Sequence, residues 1–204
     1  MWLGMLLTMP NLNLHEMISQ AVAELDEIEA VREIAIKNAR TIIKESRKII
    51  QMTHLGNDVR EGLKKLREEM LMIRGLCEKI DANKVLPVLE DAYQEFGEVC
   101  IFLAVLKGEP IPSHKELGIT PGAYLLACGD VIGELRRFCL NCLKRGEVEK
   151  GTKILEIMEE FYSELEVLDY PTAMVPLKHK IDVARGIIDK TRSDVAYAVM
   201  SRRV

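Results

Sequence analysis

From Leu14 to Thr53 the chain runs about forty residues without a proline or a glycine. Apolar residues recur along this stretch at helical spacing: Met17, Ile18, Val22, Leu25, Ile28, Val31, Ile34, Ile42, Ile43, Ile49 and Ile50. Globular helices average about three turns, so a helix of this length dominates whatever is built around it. Asn11 to Asn13 offer caps at its start, and Gly56 supplies a stop at its end.

The rest of the chain repeats the pattern in shorter pieces. Asn57-Asp58 cap a second helix from about Val59 to Ile80, with Leu63, Leu66, Met70, Ile73 and Leu76 on one stripe. A turn at 81–84 leads to a third helix from Leu86-Pro87 to Gly108, proline being tolerated in a first turn. The segment 108–118 carries two prolines and is the clearly non-helical stretch, with one turn expected over Ser113 to Leu117. Thr120 and Pro121 then open a fourth long helix to Gly146. A fifth covers about Val148 to Leu168, and a last one runs from Thr172 or Pro176 to Arg203. No alternating strand pattern, repeat or low-complexity tract interrupts this order. The expected fold is all-α, a single-domain bundle of six or seven long helices over residues 13–204.

Aromatic residues make up 5% of the 204 residues, and the net charge is −4. Such a balance does not favour nucleic-acid binding unless the basic residues gather on one face. The five cysteines lie in apolar helical runs and are expected to be buried, reduced thiols of an intracellular, cytoplasmic protein. Cys139 and Cys142 lie three apart, but no histidine or second cysteine pair completes a zinc set. Residues 1–12 form an apolar tail that Pro10 cuts short, too brief for a membrane span. They read either as a tail that packs on a neighbour or as an over-extended start with Met9 as the first residue. No later run is long and apolar enough to span, so no membrane partner is expected.

Two acidic pairs carry the chemistry. Glu95 and Glu98 are three apart, and Asp130 and Glu134 are four apart, so each pair shares one helix face. Their neighbours are small or apolar: Ala92, Phe96, Gly97, Val99 and Phe102 around the first pair, Ala127, Gly129, Val131 and Gly133 around the second. A glycine inside a helix costs about 1 kcal/mol, so three of them beside acids point to a close approach. If the two helices pack side by side, four carboxylates converge in an apolar body, where unpaired charge is costly. With no matching cation in either motif, a divalent metal from solution is expected, and oxygen-only ligands favour Mg²⁺ or Mn²⁺. The absence of a Glu-x-x-His pair argues against a di-iron bundle. Such a site supports phosphodiester hydrolysis through an activated water, with Glu134 as the proton acceptor and Arg137 neutralising the phosphate. The plainer alternative is that these acids are solvated surface charge.

A basic ridge lies along the first helix. Lys37, Arg40, Lys44 and Arg47, with His54 further on and Lys48 beside them, recur at helical spacing. The ridge reads either as a solvated face paired with Glu33 and Glu45 or as a track for a nucleic-acid backbone.

Ile119 to Arg137, with its Gly-Asp130-Val-Ile-Gly-Glu134-Leu-Arg-Arg run, closely resembles the signature of the translin superfamily. It is nearer to the translin-associated factor X branch than to translin itself. Glu95-Phe-Gly-Glu98-Val-Cys-Ile-Phe resembles that branch's catalytic Glu-x-x-Glu segment, and Ala39 to Lys48 its nucleic-acid-contact region. Leu177 to Val199 resembles the closing helix. The resemblance implies an all-helical, Mg²⁺- or Mn²⁺-dependent endoribonuclease that cleaves single-stranded RNA. It implies closed, hollow homo-octamers that hold short single-stranded RNA or DNA inside. Glu95, Glu98 and Asp130 would be the catalytic, metal-holding acids, with Glu134 a fourth. Lys37, Arg40, Lys44, Arg47, Lys48 and Arg137 would contact the nucleic acid. The segment 108–118 is shorter than in the animal factor, and the apolar start has no counterpart, which points to an archaeal-type single-subunit version. Two alternatives stand beside it: a non-catalytic nucleic-acid-binding shell and an all-helical nucleoside triphosphate pyrophosphatase.

Overall fold

A computed structural model describes residues 13–77 and 85–201. Among these residues there are seven helices and no strand. They are α1 (Leu14–His54), α2 (Arg60–Cys77), α3 (Leu86–Lys107), α4 (His114–Leu117), α5 (Pro121–Lys144), α6 (Val148–Glu166) and α7 (Leu177–Ser201). The expected bundle is therefore six long helices and one single turn. The apolar start 1–12, the turn at 81–84 and the expected end at Arg203 lie outside the described residues.

Local signals set most of the boundaries. Thr120 accepts the Ala123 amide at 3.1 Å, capping α5 with Pro121 in its first turn. Ser113 and Glu116 form a capping box around α4. Gly56 takes a φ of +77°, which lets its amide reach Thr53 O and the Asn57 amide reach Met52 O, so α1 stops in a Schellman turn. Asn13 departs from expectation. Its side chain makes no cap bond to the backbone and donates to Glu16 Oε2 at 2.6 Å instead.

The core is organised on α3. Every residue from Phe96 to Ala104 is buried, as expected for a helix that is apolar all round. It packs against α1 and α5; α6 and α7 pack on α5 and on each other, and α2 lies on α1. Gly97 lets α3 and α5 meet closely, since a Cβ there would stand 2.9 Å from Ile119 Cδ1 and 3.1 Å from Ala127 Cβ. Gly129 leaves room for the Lys180 stem, 3.2 Å from the same imagined methyl. Gly133 has no such neighbour among the described residues, so two of the three glycines mark close approaches, and both meet side chains.

The long first helix is used in two halves. Ala35, Ala39, Ile42, Ser46 and Ile49 form its buried stripe. Before Ala35 nearly every side chain is exposed, including Leu14, Met17, Ile18, Val22, Leu25 and Ile34. The same four-three spacing runs on through Leu14, Ile18, Ala21, Leu25 and Ile28, so an apolar seam continues along an arm that no other described residue covers. No helix among the described residues is long and apolar enough to cross a membrane.

Candidate active site

The α3–α5 contact brings the two acidic pairs together. Glu98 is the deepest of the four, 9% exposed, and has no hydrogen-bond partner among the described residues. Burial, then the charges of Asp130, Glu95 and Glu134, push its carboxyl up to about 8, against a smaller opposing pull from Lys180. The charges of all three other acids therefore reach Glu98, whose carboxyl holds a proton more readily than an exposed one.

The three outer acids are not bare, contrary to the expectation that the pocket lacks a matching cation. Arg47, reaching from α1, donates to Glu95 Oε1 through Nε at 3.0 Å and Nη2 at 2.5 Å. Asp130 is held from two sides: Gln94 Nε2 donates to Oδ2 at 2.5 Å, and Lys180 Nζ from α7 donates to Oδ1. Glu134 Oε2 meets His54 Nε2 at 2.5 Å and Arg137 Nη1 at 3.8 Å. These partners lie between three and 80 residues away in the chain, and each long-range one comes from a helix that tertiary packing brings alongside.

The basic ridge is present but shorter than its spacing implies. Lys37, Arg40 and Lys44 are exposed and make no ion pair among the described residues, and Lys48 pairs loosely with Glu45 at 3.6 Å. Glu33 pairs with none of them among the described residues. Arg47 is on the ridge yet turned to the pocket, so the track of positive charge ends at Glu95. His54 is no part of the exposed ridge: its side chain is 2% exposed and packs at a tilt against Phe102 and Phe138, whose ring centroids lie 5.2 and 6.5 Å away and which touch each other edge-on. Ser46, inside the basic run, is also fully buried. Arg137 stands half-exposed at the pocket rim, whereas its neighbour Arg136 turns inward to Thr191 and Asp194.

An all-oxygen donor set of this kind would suit a hard divalent cation. All four acids offer oxygen, and the buried carboxyl of Glu98 makes no hydrogen bond among the described residues. As the side chains stand, no group of three His, Cys, Asp or Glu among the described residues is gathered around one ligand position. The outer acids lean instead toward Arg47, Lys180 and His54. Sequence reasoning missed Gln94, His54 and Lys180 as members of the site. Gln94 adjoins Glu95 and was the most accessible of them, while Lys180 carries no local signal. Cys100, Cys128, Cys139 and Cys142 are buried and free, as expected, and burial pushes the Cys100 thiol up to about 11; the side chain of Cys77 lies outside the described residues.

Four acids on two central helices thus lie at the end of a basic helical ridge, engaged by side chains from α1, α3, α5 and α7. The chain belongs to the translin family, whose model matches residues 20–203. It is 30% identical over 177 residues, 86% of this chain and 80% of the other, to an uncharacterized protein of Methanocaldococcus jannaschii. It is similar to the solved structure of AfC3PO in complex with duplex RNA, with a TM-score of 0.74 and 32% identity, over 91% of this chain and 97% of that one. The crystal structure of AfC3PO matches at 0.73 and 31% over 92% and 99%. The fold is shared also with apo-NeC3PO, at a TM-score of 0.75 and 21% identity over 94% and 98%.

Proposed function

We propose that this protein is a Mg²⁺- or Mn²⁺-dependent endoribonuclease of the translin-associated factor X type, cleaving single-stranded RNA inside a homo-octameric shell. The observation that carries the reading is Glu98, a buried carboxyl ringed by three others where a basic ridge ends. The AfC3PO relative that holds duplex RNA supports RNA as the ligand class. The uncovered apolar seam on the α1 arm supports self-association.

In this reading Lys37, Arg40, Lys44 and Lys48 track the phosphodiester backbone toward the pocket, and Arg137 meets the scissile phosphate at the rim. Glu95, Glu98, Asp130 and Glu134 would hold the cation, with Glu98 in its deprotonated form. When bound, the cation supplies Lewis acidity at the phosphate and a water acidic enough to lose its proton near neutral pH. Glu134, whose Oε1 has no partner among the described residues, takes that proton.

The test is cleavage of end-labelled single-stranded and duplex RNA by wild type, Glu98→Ala and Asp130→Ala, with Mn²⁺ and with EDTA. The expected result is metal-dependent cleavage lost in both variants. Cleavage that survives in either variant, or in EDTA, overturns the proposal. A second reading, a binding shell without turnover, is favoured by the ion pairs that already engage the three outer acids. RNA binding with no cleavage under any metal would establish it. The pyrophosphatase alternative gains no support from membership of the translin family.

A further inference from the structure

His54 is the most deeply buried polar partner in the pocket, and its own hydrogen-bonding needs do not explain its place. Nδ1 is buried without a partner among the described residues. An unmet buried polar atom is destabilising. A histidine serving only the core would be expected to satisfy both nitrogens. Here the ring sits on the last residue of α1, just before the Gly56 turn, packed against Phe102 and Phe138. Its one hydrogen bond among the described residues is between Nε2 and Glu134 Oε2. A proton on Nδ1 would be buried with no acceptor, so the pattern of partners assigns the ring proton to Nε2, donated to the carboxylate.

We infer that His54 is a positioning residue for Glu134. It fixes Oε2 and so leaves Oε1 as the oxygen that serves the cation and the water. Two features make this a device for orientation. The ring is almost wholly buried against Phe102 and Phe138, and the donor is a single N–H at the end of α1. Partners that orient ligating carboxylates in this way are worth about 10- to 100-fold in metal affinity or activity. The inference rests on the reading of the pocket as a cation site, and its test separates the two.

Glutamine places a side-chain N–H close to where imidazole Nε2 stands, and asparagine is too short to reach. Isothermal titration of Mn²⁺ into the full chain would compare wild type, His54→Gln, His54→Asn, Glu134→Ala and His54→Asn/Glu134→Ala. Melting of the metal-free proteins would be followed in parallel. The expected result is Mn²⁺ affinity close to wild type for glutamine and weaker by about 10- to 100-fold for asparagine. Both variants should melt alike, and asparagine should add nothing in the Glu134→Ala background. RNA cleavage should show the asparagine loss in kcat, with KM unmoved. Equal weakening by glutamine and asparagine, or an asparagine effect undiminished without Glu134, overturns the inference. If wild type binds Mn²⁺, Glu98→Gln does not, and His54→Asn binds as wild type does, this inference alone fails. If wild type binds no Mn²⁺, the pocket reading fails and this inference falls with it.

Discussion

Arg47 Nη2 lies 2.5 Å from Glu95 Oε1, with Nε 3.0 Å from the same oxygen. The side chain that closes the basic ridge thereby also neutralises the first acid of the pocket. A phosphate on the ridge and a cation in the pocket would both gain from breaking this pair, the phosphate by taking Arg47 and the cation by taking Glu95.

Arg47→Gln is therefore expected to act with opposite signs on the two ligands. Arg47 is 69% exposed, so the pair is worth no more than about 1 kcal/mol. Mn²⁺ should bind tighter by about two- to five-fold, and a short oligonucleotide weaker by a similar factor. Titration of each ligand separately checks this; a loss of both affinities would contradict it.

Glu98 sets a pH dependence. Its folded carboxyl titrates at about 8, above the ordinary carboxylate value of 4.5. Between those values the folded state binds a proton that the unfolded chain does not. Stability is then fully present below about pH 4.5 and is lost as pH rises through about 8. Metal-free protein in EDTA should melt progressively lower from pH 5 to 8.5, and Glu98→Gln should flatten that fall and raise the melting temperature at pH 8. Melting curves across this range, with the variant alongside, are the check.

The exposed ridge should announce itself in salt. Lys37, Arg40 and Lys44 bind nothing else among the described residues, so replacing all three with glutamine should leave folding intact. For a single strand each lost phosphate contact lowers the slope of log K against log salt by about 0.7, or about 2 for the three. Fluorescence anisotropy at several salt concentrations measures it, and an unchanged slope would remove the ridge from the interface.

The α1 arm gives a test of assembly. Ile18 and Leu25 are exposed on the continued seam, so Ile18→Glu with Leu25→Glu should cost the protomer little. The native mass should fall to a smaller species while circular dichroism keeps its helical signal. An unchanged mass would mean the seam is not the contact.

Much of the fold was legible because its determinants are local. Thr120-Pro121, Ser113 with Glu116, and Gly56 act within four residues of themselves, and the structure places the helix ends close to where they point. The two acid pairs were legible for the same reason: spacings of three and four fix a shared face before any tertiary contact forms. Which half of α1 would be buried was not legible, since the same four-three pattern runs through the packed and the projecting halves alike.

The sequence by itself thus determined the helices, their stops and the four acids on two faces. Only the tertiary structure decided the state of those acids. Arg47, His54 and Lys180 reach them from 48, 80 and 50 residues away, and the buried position of Glu98 exists only once α3 is enclosed. Charge pairing and desolvation depend on distances through space, and distance along the chain carries no record of them.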